Sequence, residues 1–143
     1  TFGTGIVKPY IFNTSKWGTI NIHRGQIDKY RGLDSDLWAI KNEDFDNIGV
    51  AIHYVDEDLD TGDVLSTGKV SLTKVDEIYH LKYHTTILAT NMMLEVLEKF
   101  KQKDGKITGE SQTEFGEYYT AMSLEEKHLT EDIFNDYKLY DNE

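Results

Sequence analysis

The sequence predicts an α/β protein, layered in three around a mixed sheet. Three observations carry that expectation. Residues 18–23 alternate polar and apolar, and residues 47–55 are apolar on both sides, the patterns of a half-covered and a fully covered strand. The stretch after Thr73 keeps helical spacing of its apolar residues as far as Lys103. An Asn-x-His pair closes the first of these strands, at the end where such a sheet opens its crevice.

The elements follow in order. Phe2-Gly3-Thr4-Gly5-Ile6 reads as a strand end turning through glycines, and Pro9 biases Lys8 away from helix. The opening has no polar lead-in, so a fragment of a longer chain is expected. Gly18 to His23 is a strand with Asn21 and His23 on one face and Ile20 and Ile22 on the other. A short helix is predicted over Asp34–Glu43, capped by Asp34 or Ser35, with Leu37, Trp38 and Ile40 inward. Strands over Asn47–Val55 and Asp63–Leu72 flank the loop Asp56–Gly62 and form an antiparallel hairpin.

A long helix is predicted to start after Thr73, with Asp76 as capping partner, and to end near Lys103. Its inward face is read as Ile78, Leu81, Leu88 and Met92, widened by Ile87, Leu94 and Leu97. A last helix begins at Ser123, boxed by Glu126, and buries Leu129, Ile133, Phe134 and Tyr137. No repeat or low-complexity linker divides the chain. Residues 1–143 are expected to be one domain, with a core segment over 1–103 and a tail over 104–143.

Composition excludes several classes. With 26 acidic against 15 basic residues, a net charge of −11 opposes a phosphate backbone, so nucleic acid is not an expected partner. The absence of cysteine removes disulfides, thiolate metal sites and thiol catalysis, and fits a cytoplasmic protein. No apolar run reaches the ~20 residues of a membrane span, so no membrane partner is expected.

Two stretches carry candidate chemistry. Asn21 and His23 put an amide donor beside a titratable imidazole. The acidic run Asp56-Glu57-Asp58-Leu59-Asp60-Thr61-Gly62-Asp63 lacks the alternation, central glycine and late glutamate of a calcium loop. His53 lies on the covered strand, either as a core histidine or in a supporting role. His80 and His84 share a helix face, but the pattern of a metal-binding helix is missing between them.

Taken together, "INIH", "KYRG" and "IHYVDEDLDTGDVL" resemble the folate-dependent formyltransferase family, whose signatures are Asn-x-His at a strand end and the aspartate of a Leu-Asp-x-Gly loop. These fall on Asn21, His23 and Asp60. The opening "FGTGIVKP" resembles the family's folate-loop segment. The resemblance is strong from Thr1 to about Leu72 and generic beyond. The family often has proline where Asp28 and Asp63 stand; both changes alter loop rigidity, and the first puts the acceptor in question.

The resemblance implies a three-layer, Rossmann-like formyltransferase fold lacking its N-terminal half, with this chain as the C-terminal part of the catalytic domain. It implies 10-formyltetrahydrofolate as co-substrate, no metal, and a small-molecule acceptor amine as partner; a homodimer is left open. Asn21, His23 and Asp60 would be catalytic, and Gly3, Thr4, Gly5, Ile6, Val7, Asp56 and Glu57 would hold the folate. Arg31, Tyr118 and Tyr119 would touch the acceptor. The tail "GEYYTAMSLEE" resembles members that formylate nucleotide-linked amino sugars. Glycinamide ribonucleotide and methionyl-tRNA transfer, hydrolysis of the folate, and an inactive fragment are the alternatives, the tRNA branch ranking low on charge.

Overall fold

The computed structural model describes residues 1–4 and 6–140. The elements are α1 (Pro9–Phe12), β1 (Ile20–His23), β2 (Tyr30–Gly32), α2 (Ser35–Lys41), β3 (Gly49–Tyr54), β4 (Val64–Lys69), α3 (Leu81–Lys103), β5 (Glu117–Tyr119) and α4 (Leu124–Tyr140). Every residue of β3 is buried, as its two-sided apolar pattern requires, and it sits centrally in the order β1-β3-β4. Both pairings are antiparallel, with a bulge at Ile52/His53. The sheet gains its parallel character at the edge, where Phe2 bridges Ile22. A second, two-stranded parallel sheet joins β2 to β5 in the tail, a pairing the sequence pattern does not reveal.

Alternation along β3 separates two jobs. Val50, Ile52 and Tyr54 pack with Ala89, Met92, Val96 and Phe100 of α3. Ala51 and His53 lie on the other face, and His53 pairs in register with Asn21. A second core cluster gathers Tyr30, Ala39, Ile40, Ile48, Leu72, Val75, Leu81 and Phe134.

Helix α3 departs from expectation at its start and on its face. Thr73 and Asp76 do not open it; the chain makes two short 3-10 turns, at Leu72–Lys74 and Ile78–His80, before Leu81. Val75 is extended and fully buried, so its place in the core interrupts helix there. The inward face is Leu81, Thr85, Ala89, Met92, Val96 and Phe100. Ile87, Leu94 and Leu97 are 48–59% exposed, because apolar residues occur on both sides and period alone does not choose between them.

Helix α4 starts as predicted. The Ser123 backbone N–H donates to Glu126 Oε2 (2.9 Å), and the Glu126 N–H donates to Ser123 Oγ (3.2 Å). Lys41 closes on Glu126 at 2.8 Å and, with Ser123, holds that carboxyl down to about 2. Phe134 and Thr130 are fully buried, Ile133 and Tyr137 pack partly, and Leu129 is half exposed, contrary to its predicted burial. Phe134→Ala is expected to cost about 3–5 kcal/mol in denaturant unfolding, since it empties the centre of the cluster shared by α2 and α4.

Candidate active site

Strand β1 carries the first two groups. Asn21 and His23 share a face two residues apart, and Asn21 stands opposite His53. The His23 ring is pinned: its Nε2–H donates to the Tyr30 carbonyl at 2.8 Å, leaving Nδ1 as the free nitrogen. Gly25 makes room for this turn. A Cβ there would stand 2.7 Å from Ser35 Cβ and 2.8 Å from His23 Nε2.

The β3–β4 loop brings the third group. Asp60 adopts a left-handed backbone conformation (φ 55°), which aspartate tolerates better than most side chains. Its Oδ2 accepts the Gly32 N–H at 3.0 Å and lies 3.5 Å from His23 Nδ1; its Oδ1 lies 3.4 Å from His53 Nε2. The loop is held from both sides. Thr61 Oγ1 donates to Asp56 at 2.7 Å, and Gln112 Nε2 from the tail donates to the Asp60 and Gly62 carbonyls at 3.2 and 2.8 Å. Gly62 lies so close to the Tyr54 carbonyl that a Cβ would come within 2.0 Å of it.

Burial pulls the His23 imidazole below its ordinary value of 6.5, against the opposing pull of the Asp60 charge and the Tyr30 bond. For Asp60, burial pushes upward, but the His53 contact, the His23 charge and the Gly32 bond outweigh it and hold the carboxyl below its ordinary 3.8. Near neutrality the pair is therefore a carboxylate beside a neutral imidazole. Both shifts make the fold acid-sensitive. The unfolded chain takes up the His23 proton first, so stability falls as pH drops below about 6.5, and the Asp60 contribution is lost only further down. Unfolding titrations should show this decline between about pH 7 and 5, and His23→Gln should flatten it.

These groups form one wall of a cavity of about 370 Å³. Gly3, Thr4, Ile6 and Val7, expected from the sequence to hold the folate, line it, as do Asp56 and Glu57. Gly5, expected with them, lies outside the described residues. Tyr118 lines the cavity, whereas Arg31 and Tyr119 are not among its lining residues. Arg31 instead fastens the tail: its Nε donates to the Gly116 carbonyl at 2.6 Å and its guanidinium lies over Phe115. Tyr119 stacks on Tyr30 and packs at a tilt against Trp38.

Sequence reasoning missed Arg24, Asp36 and Lys82, which also face the cavity. Asp36 is 4% exposed, and burial pushes its carboxyl up despite the Leu37 N–H bond and the Arg24 charge. A charge on the inward side of a short apolar helix was the available signal. His80 and His84 each pack edge-on against the preceding tyrosine. Among the described residues, no group of three or more His, Asp or Glu side chains is arranged to hold a metal, and no helix is long and apolar enough to cross a membrane.

An amide, an imidazole and a loop carboxylate around one cleft define a class, and comparison with known proteins names it. The family profile described as formyl transferase matches residues 4–97, and the chain belongs to that family. The structure of the formyltransferase PseJ from Anoxybacillus kamchatkensis, in complex with UDP-4,6-dideoxy-4-formamido-L-AltNAc and tetrahydrofolate, is similar at a TM-score of 0.72 and 29% identity, over 89% of this chain and 64% of that one. A methionyl-tRNA formyltransferase of Pelotomaculum thermopropionicum is 31% identical over 65% of this chain and 29% of its own length. A GDP-perosamine N-formyltransferase of Brucella melitensis is 31% identical over 63% of this chain and 34% of its own. The chain thus spans about a third of the length of these curated relatives.

Proposed function

We propose that this chain carries the reacting groups of an enzyme that moves a formyl group from 10-formyltetrahydrofolate to the amine of a nucleotide-linked amino sugar. The observation that carries this reading is the convergence of Asn21, His23 and Asp60 on one cavity wall. The amine attacks the formyl carbon, a C–N bond forms, and the carbonyl oxygen becomes an oxyanion. An Asn21 amide N–H stabilises that oxygen. His23 Nδ1, free because Nε2 is tied to Tyr30, takes the ammonium proton and returns it to the folate nitrogen as its bond to carbon breaks. The Asp60 carboxylate favours the imidazolium formed between these steps. The products are a formamide and tetrahydrofolate.

Support for the sugar acceptor comes from the tail resemblance and the likeness to PseJ and to the perosamine enzyme. A tRNA acceptor is the second reading, favoured by the methionyl-tRNA relatives at the same identity and opposed by the net charge of −11. Residues 1–143 are read as part of one catalytic domain, and a cytoplasmic location accompanies this reading. Incubating the complete protein with 10-formyltetrahydrofolate and, separately, nucleotide-linked amino sugars, methionyl-tRNA and no amine decides among them. Formamide formed on the sugar is the expected result. Formyl-methionyl-tRNA moves the assignment to tRNA, and full-rate formate release without amine makes the protein a hydrolase.

A further inference from the structure

We propose that Gln112 is a positioning residue: its side-chain amide, brought in by the tail, fixes the Asp60–Gly62 turn so that the Asp60 carboxylate meets both histidines. This rests on the formyl-transfer reading and extends its machinery to a segment beyond residues 4–97, the stretch that the family profile matches.

Side chains hold this turn. Asp60 adopts the left-handed conformation (φ 55°), which a residue bearing a side chain keeps only where its surroundings impose it. Thr61 ties to Asp56 within the loop, and Arg31 Nη1 reaches the Leu59 carbonyl only at 3.5 Å. Gln112 Nε2 donates to the carbonyls of both Asp60 and Gly62, at 3.2 and 2.8 Å. The Asp60 carbonyl belongs to the peptide plane that follows its Cα. Fixing that plane fixes the backbone from which the carboxylate projects.

The Gln112 amide is set one way. Its Nε2 has two hydrogens and faces two carbonyls, which only accept. Turned over, it would set oxygen against both. The orientation leaves Oε1 buried with no partner among the described residues. A bare buried acceptor works against stability, so two donors on one turn are a use of this side chain that stability alone does not explain.

The tail places this amide between two anchors. On one side Glu110 exchanges two backbone hydrogen bonds with Val64, both 2.8 Å, and Ser111 Oγ donates to Asp63 at 2.8 Å. On the other, β5 pairs with β2, and Arg31 Nε donates to the Gly116 carbonyl. Strand β2 also carries Gly32, whose N–H donates to Asp60 Oδ2. The tail thus governs Asp60 twice: Gln112 sets its main chain, and the strand that β5 steadies sets its carboxylate. Beyond these contacts stand His23 Nδ1 and His53 Nε2, 3.5 and 3.4 Å from the two carboxylate oxygens. A misplacement of about 1 Å at such a site is enough to cost about 100-fold in rate.

The test compares wild type with Gln112→Met and Gln112→Glu in the complete protein. Methionine keeps the length and has no donor; an ionised glutamate keeps the shape and has none either. Both variants are expected to lower kcat about 100-fold, with a much smaller rise in KM for the folate. Amide hydrogen exchange gives a second readout that needs no turnover. The Gly32 N–H, bonded to the Asp60 carboxylate, should exchange about tenfold faster in both variants. The Leu33 N–H, bonded to the Tyr119 carbonyl at 2.9 Å, should keep its wild-type protection. Unchanged kcat or unchanged Gly32 exchange in both variants overturns the proposal. Lost protection at both Gly32 and Leu33 also overturns it, since Gln112 would then only hold the tail in place. If the wild type forms no formamide, the formyl-transfer reading fails, and exchange at Gly32 and Leu33 alone decides whether Gln112 positions Asp60.

Discussion

Asp60→Asn is expected to lower formyl transfer about a thousandfold with the fold intact. The left-handed backbone at this position suits asparagine, and an amide oxygen can still accept the Gly32 N–H, so the loop keeps its path. What disappears is the charge that faces both His23 and His53. Without it, only the Tyr30 bond opposes burial at His23 and its basicity drops further, while the imidazolium formed during proton transfer loses its counter-charge. The effect belongs in kcat, because Asp60 meets the reacting groups through the histidines. Single-turnover rates beside a folate-binding titration check this. A drop confined to folate affinity would contradict it.

Asn21→Ala is expected to lower turnover by about 10²–10³, the scale of removing one preorganised donor from a developing oxyanion. The residue sits in regular β1–β3 pairing, and alanine leaves those backbone bonds untouched. Folding stability should therefore change little. Asn21→Asp is a sharper comparison: it keeps the size but puts a second carboxylate near the Asp60 cluster and supplies no donor. Its turnover should fall at least as far as that of the alanine variant. Measured kcat for the two, with thermal unfolding as the control, separates lost chemistry from lost structure.

Much of the site was legible because it depends on short-range rules. Alternation alone places Asn21 and His23 on one face, whereas Asp60 is singled out among its acidic neighbours by the family resemblance of the Leu-Asp-x-Gly loop, which the β3–β4 hairpin carries to the same strand end. The Ser123–Glu126 capping box is equally local and forms as read. The failures share a different cause. The face of α3 is chosen by what packs on it, and a helix with Ile87, Leu94 and Leu97 on one side and Met92, Val96 and Phe100 on the other has no single period to read. The contacts of Gln112 and Arg31 and the β2–β5 pairing join the tail to the middle of the chain, and no local pattern announces such partners. Arg24 and Lys82 look like ordinary surface charges in sequence; only tertiary packing turns them toward the cavity.

The most direct test follows a 13C-labelled formyl group through one turnover of the complete protein, with a nucleotide-linked amino sugar present, in wild type and His23→Ala. The label is expected to appear as formamide on the sugar amine with wild type and to stay on the folate with H23A. Equal transfer by both proteins, or label released only as free formate, would contradict a site built on Asn21, His23 and Asp60.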